Sequence, residues 1–201
     1  MAYLLTFVLG YLLGAIPFGL ILGKVVKHVD VREYGSKRTG ATNVMRVLGP
    51  RWAVVVFMLD FCKGACGALV GRLLAPGQWG EAMGALAAVI GHIVPVYIGF
   101  RGGRGVASGL GGVMAIMPVV SVSALVCWMV VVKLTRYVSL GSILGCVAGT
   151  IVMALLLAFG EVGTAAFIYS LATAAIIIIA HRDNIGRLLA GTESKLGQRA
   201  G

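Results

Sequence analysis

The sequence predicts an all-α integral membrane protein. Three observations carry that expectation: a composition too apolar for an aqueous core, apolar runs of bilayer length, and basic residues that gather in alternate loops. Of the 201 residues 59% are hydrophobic and 12% charged, with a mean hydropathy of +0.98, whereas a soluble domain carries about 25% charged residues. A single aqueous core cannot hide that much apolar surface, so part of the solvent is lipid.

Apolar runs cover roughly 3–23, 52–74, 81–100, 138–158 and 161–180, each near the ~20 residues that a helix needs to cross a bilayer. No basic region precedes Tyr3–Gly23, which argues against a cleaved signal peptide. The interval 105–132 admits one long span or two short ones that turn near Pro118, and charge decides. Loop 24–51 holds Lys24, Lys27, Arg32, Lys37, Arg38, Arg46 and Arg51, while loop 75–80 and the link 159–162 hold no Lys or Arg. Lys133, Arg136 and the tail (Arg182, Arg187, Lys195, Arg199) are basic again. Basic loops stay cytoplasmic, and only two short spans put every basic segment on that side. The expectation is therefore seven transmembrane helices, two of them short, with the N-terminus outside and the C-terminus cytoplasmic. They form one polytopic domain over 1–201, with cytoplasmic-face motifs at 35–46, 91–108 and 181–193. Small-xxx-small spacing at Gly10/Gly14, Gly19/Gly23 and Gly141/Gly145/Gly149 lets such helices approach closely. Cys62, Cys66, Cys127 and Cys146 lie in apolar runs and read as small hydrophobes.

The polar chemistry falls in three stretches. Gly91–Ser108, GHIVPVYIGFRGGRGVAS, sets Arg101 and Arg104 among glycines. A glycine turn can aim successive N–H groups at one anion, and Arg forks match phosphate. A tight turn whose Arg meet lipid headgroups is the alternative. Gly35–Arg46, GSKRTGATNVMR, has the glycine spacing of a phosphate loop but lacks its Lys-Ser/Thr, which excludes a nucleotide P-loop. What remains is a turn carrying Ser36, Thr39, Thr42, Asn43 and Arg46, suited to phosphate oxygens or an acyl carbonyl. In the tail, His181, Asn184 and Arg187 recur at helical spacing. His181 is either a general base, titrating near 6.5 when unperturbed, or an interfacial anchor. Asp60 and Lys63, one turn apart on the second long helix, read as an ion pair that supports the site. His28 reads as a surface residue, and His92 as fixing a helix end. No His-x-x-x-Asp-like box, no Gly-x-Ser-x-Gly elbow and no carboxylate/His cluster for a metal occurs in the sequence.

Together these stretches resemble the bacterial acyl-phosphate:glycerol-3-phosphate acyltransferases, the PlsY family. GSKRTGATNVMR is similar to that family's G-S-G-N-x-G-A-T-N-x-x-R, GHIVPVYIGFRGGRGVAS to G-H-x-x-P…F-x-G-G-K-G, and HRDNIGRLLAGTE to H-R-x-N-I-x-R-L-x-x-G-x-E. LDFCKG (Leu59–Gly64) and RYVSLGSI (Arg136–Ile143) are also similar to family stretches. The resemblance implies a multi-pass enzyme of the bacterial inner membrane that moves a fatty acyl group from acyl phosphate to the 1-hydroxyl of glycerol 3-phosphate. It implies no cofactor, no metal and no nucleic acid, with membrane lipids as surroundings and a functional link to an enzyme that forms acyl phosphate. On this reading His181, Ser36 and Asn43 serve catalysis. One phosphate falls to Gly40, Thr42, Gly102, Gly103 and Arg104, the other to Arg46, Ser142 and Asn184, with Arg187 a further phosphate-binding residue. Two departures stand out: Arg104 where the family has Lys, and Lys37-Arg38 where it has Gly-Asn. The rival reading is a non-enzymatic membrane binding or transport protein for anionic lipids or phosphates.

Overall fold

A computed structural model describes residues 1–198, and all regular structure among these is helical. Arg199, part of the basic tail, lies outside the described residues. The α-helices are α1 Ala2–Gly14, α2 Phe18–Lys27, α3 Ala41–Leu48, α4 Pro50–Leu74, α5 Gln78–Ile93, α6 Val106–Ile116, α7 Pro118–Thr135, α8 Val138–Ala158, α9 Thr164–Ala180 and α10 Arg182–Leu189. By length and apolarity, Ala2–Lys27 taken as one broken span, α4, Gln78–Ile98, α7 and α8 can each cross a bilayer. α9 and α10, bent by 59° where they meet, make a further candidate, and α6 is a shorter apolar helix.

Three sequence expectations change in detail. The first apolar run is two helices, because Pro17 lacks an N–H and disfavours helix at Ile16. The freed Ile16 carbonyl accepts a hydrogen bond from Lys63 Nζ at 2.9 Å. The interval 105–132 does divide at Pro118, which opens α7 at a position where its missing N–H costs nothing. The division is unequal: α7 has 18 residues and α6 has 11, so one helix is short rather than two. Finally, half of the stretch read as a turn at 35–46 is helix α3, which lays Val44 and Leu48 against Val56. Its eight residues, framed by glycines, give too little periodicity to show in the sequence.

Close glycine contacts set the helix packing. Gly10 and Gly14 of α1 meet Gly84 and Ala88 of α5, and a Cβ on Gly14 would overlap the Ala88 backbone. Gly141, Gly145 and Gly149 of α8 lie against Trp128, Ala124 and Val120 of α7. The pair Gly19/Gly23 serves the loop instead, facing Thr39 and Val31. Within this frame Asp60 and Lys63 pair at 2.8 Å, both side chains 3% exposed, and His92 Nδ1 lies 3.4 Å from the same carboxylate oxygen. Removing one member of a buried pair strands the other charge. Lys63→Met is therefore expected to cost about 3–5 kcal/mol, whereas Asp60→Leu with Lys63→Met should cost far less. Thermal unfolding in detergent measures both.

Candidate active site

The polar stretches converge on one cavity of about 400 Å³. Loop 36–40 and α3 form one side, residues 103–107 another, and Ser139, Ser142, His181, Asn184 and Glu193 the rest. Of the residues expected at the site, Ser36, Gly40, Thr42, Asn43, Arg46, Gly103, Arg104, Ser142, His181 and Asn184 line the cavity, while Gly102 and Arg187 do not. Towards the lipid its wall is apolar, with Val54 and Phe57 of α4 and Leu125, Trp128 and Met129 of α7. Val54 and Met129 are exposed, so this wall continues onto the apolar outer surface of α4 and α7.

The glycine turn is not the anion nest that its sequence suggests. Gly102 N–H donates to the Ile93 carbonyl at 3.2 Å and Gly103 N–H to His92 at 3.1 Å. Both donors are spent in closing the C-terminus of α5. The glycines are needed for closeness: a Cβ on Gly102 would overlap the His92 carbonyl, and one on Gly103 the His92 ring. This corrects the assignment of their backbone to phosphate. The unpaired donors lie at helix starts instead. Gly40, Ala41 and Thr42 open α3, and Gly105, Val106 and Ala107 open α6; all of them line the cavity. Leading amides have no intrahelical partner, and two N-terminal dipoles favour an anion between them. A Cβ on Gly40 would meet nothing within 4 Å, so glycine there leaves space for a ligand.

Asn43 is also reassigned. Its Nδ2 donates to the carbonyls of Val31 (2.7 Å) and Arg38 (2.9 Å), and its Oδ1 accepts from Ser36 N–H (2.9 Å). The amide is consumed in fixing loop 31–38, so Asn43 positions the loop rather than serving catalysis. It leaves the Ser36 side chain at the cavity wall. Lys37, where the resembling family has Gly, takes a φ of 55°, the left-handed region that glycine enters without cost.

His181 sits where α9 gives way to α10 and is 2% exposed. Its Nδ1 lies 2.8 Å from the Ile177 carbonyl. A carbonyl only accepts, so the proton is on Nδ1 and Nε2 carries the lone pair. Burial first, and then Arg104 and Arg38, push the imidazole down from its unperturbed 6.5 to about 4. Burial also lowers the Arg104 guanidinium to about 10, helped by Arg38, Arg187 and Arg46. Its Nε is buried without a hydrogen-bond partner. Ser142 Oγ donates to the Val138 carbonyl at 2.9 Å and offers the cavity only lone pairs.

Glu193 is the residue that sequence reasoning left out of the site, although it ends the third motif. Its Oε1 accepts from Ser139 Oγ (2.7 Å) and Asn184 Nδ2 (2.6 Å), and its Oε2 from Arg187 Nε (2.7 Å). These three donors hold its carboxyl below the usual range against the opposing effect of burial. Arg187 is thus bound to Glu193 and stands behind the cavity, not in it. Glu193→Ala strands three donors at once and is expected to lower stability by about 2–3 kcal/mol, read as a fall in Tm; Glu193→Gln should lose less.

The sequence profile of the family described as Glycerol-3-phosphate acyltransferase matches residues 4–191. The chain belongs to that family. A glycerol-3-phosphate acyltransferase of Thermoanaerobacter pseudethanolicus is 46% identical over 195 residues, covering 97% of this chain and 96% of the relative. One from Synechococcus sp. (strain CC9902) is 40% identical, covering 98% and 96%. The crystal structure of PlsY, an integral membrane glycerol 3-phosphate acyltransferase, in its glycerol 3-phosphate form is similar at a TM-score of 0.89 and 39% identity, covering 98% of this chain and 96% of that one. Its lysophosphatidic acid form gives 0.88 and 38%. The protein is accordingly a multi-pass membrane acyltransferase of phospholipid synthesis, acting on glycerol 3-phosphate.

Proposed function

We propose that the acyl donor is an acyl phosphate, attacked directly by the 1-hydroxyl of glycerol 3-phosphate to give lysophosphatidate and inorganic phosphate. The observation that supports this is one cavity that gathers Arg46, Arg104 and the starts of α3 and α6 beside the buried His181 imidazole. Arg46, Arg104 and the starts of α3 and α6 offer cationic and N–H donors to phosphate, and the apolar α4/α7 wall suits an acyl chain. An acyl phosphate is a mixed anhydride with a good leaving group, so holding and aligning two substrates supplies much of the rate. One phosphate is assigned to Gly40, Thr42 and Arg104, the other to Arg46 and Asn184, with Ser36 beside them; Ser142, whose proton is spent on Val138, drops out of the phosphate contacts. His181 Nε2 takes the hydroxyl proton as the new ester C–O bond forms, and the phosphate departs with the electrons of the broken C–O bond. Its Nδ1–H stays on Ile177, fixing the tautomer.

Seven spans follow when α6 and α9 are counted with the five longer ones. The basic loops then give an outside N-terminus and a cytoplasmic C-terminus in a bacterial inner membrane. The site on that face receives a donor that a separate acyl-phosphate-forming enzyme must supply. Purified protein given palmitoyl phosphate and labelled glycerol 3-phosphate should release phosphate and labelled lysophosphatidate in equal amounts. Product from a palmitoyl thioester but not from palmitoyl phosphate would refute the choice of donor.

A further inference from the structure

Arg38 departs from the resembling family, and its surroundings give it a task. Its carbonyl is held by Asn43 Nδ2 at 2.9 Å, which fixes where the side chain starts. The side chain lines the cavity and is 29% exposed. Its Nη2 stands 3.7 Å from Asp183 Oδ2 of α10, whose side chain is 54% exposed. That distance is too long for a hydrogen bond, and so exposed a pair contributes little to the fold. Arg38 shares the cavity with Arg46 and Arg104. The carboxylates there are engaged elsewhere: Asp60 by Lys63, and Glu193 by Ser139, Asn184 and Arg187. Three guanidinium groups in one cavity repel each other until an anion arrives. A phosphate dianion offers Arg38 shorter, forked, charge-assisted bonds than Asp183 does.

We propose that Arg38 is a further phosphate-binding residue, held by Asp183 at the cavity mouth and transferred from it to a substrate phosphate on binding. The proposal rests on the reading of the cavity as a two-phosphate site. It makes the two members of one ion pair act in opposite directions. Arg38→Asn should weaken the phosphate it serves about 15- to 30-fold, the lower part of the range for a bond between charged groups. Asp183→Asn, by freeing Arg38, should tighten the same phosphate two- to threefold, and the double variant should match Arg38→Asn. A pair that merely clasps loop 36–40 to α10 predicts that both single variants lose affinity and Tm alike.

The experiment measures KM for glycerol 3-phosphate and for palmitoyl phosphate, and kcat, in the full-length wild type and three variants. Calorimetric Kd values for glycerol 3-phosphate and inorganic phosphate are taken on the same samples. A split in the glycerol 3-phosphate constants assigns Arg38 to that phosphate, and a split in the palmitoyl phosphate KM assigns it to the donor. Parallel losses, or no change in any constant, overturn the proposal. Absence of turnover in the wild type refutes the acyl-phosphate reading instead, and the Kd values then decide Arg38 alone: opposite shifts support it, and equal or absent shifts overturn it.

Discussion

Arg104→Ala is expected to lower kcat/KM by about 10²-fold, since a charge-assisted phosphate contact is worth roughly 1.5–3 kcal/mol and this one is largely out of water. The guanidinium is already destabilised, pushed to about 10 by burial and by the positive charges around it, and its Nε has no protein partner. A cation kept in such surroundings is relieved only by an anion. Arg104→Lys should retain much of the activity, because a point charge at that site still faces the phosphate. Initial rates with both substrates varied check this. An Arg104→Ala enzyme with most of its activity would remove the cavity from the chemistry.

His181→Ala is expected to lower kcat by about 10²–10⁴ with little change in KM, the signature of a lost general base. His181→Gln should not rescue it, since an amide can fill the place of the ring but cannot take a proton. A Gln variant with near-normal kcat would leave proton transfer to a substrate phosphate. The pH profile gives an independent check. With the imidazole near 4 in the free enzyme, the neutral form persists well below pH 6.5. kcat/KM, which reports the free enzyme, should therefore stay level from pH 7 to about 5 once corrected for substrate phosphate ionisation near pH 6. A break at pH 6.5 would mean that His181 is far less buried in the working enzyme. Bound phosphates add negative charge beside the ring and should raise its pKa, improving it as a base in the complex.

What the sequence disclosed was chemistry that repeats or concentrates. Bilayer-length runs located the helices, and the Pro118 turn was legible because charge parity demanded it. The convergence of Ser36–Arg46, Arg104 and His181–Asn184 was legible because each stretch is an island of polarity in an apolar chain. What stayed hidden depends on where single hydrogen bonds go. Nothing in the letters GG says whether two N–H groups face a ligand or the end of α5; here His92 and Ile93 take them. Asn43 reads as a ligand-facing amide until both of its ends are found bound to loop backbone. Glu193 looked like the last letter of a motif, and only its three donors show it holding Asn184 and Arg187 in place.

Both phosphates in one cavity at once is the central claim, and the initial-rate pattern tests it most directly. With glycerol 3-phosphate and palmitoyl phosphate varied against each other, double-reciprocal plots should intersect, as a ternary complex without a covalent enzyme intermediate requires. Parallel lines, the mark of an acyl-enzyme formed and discharged in turn, would contradict it.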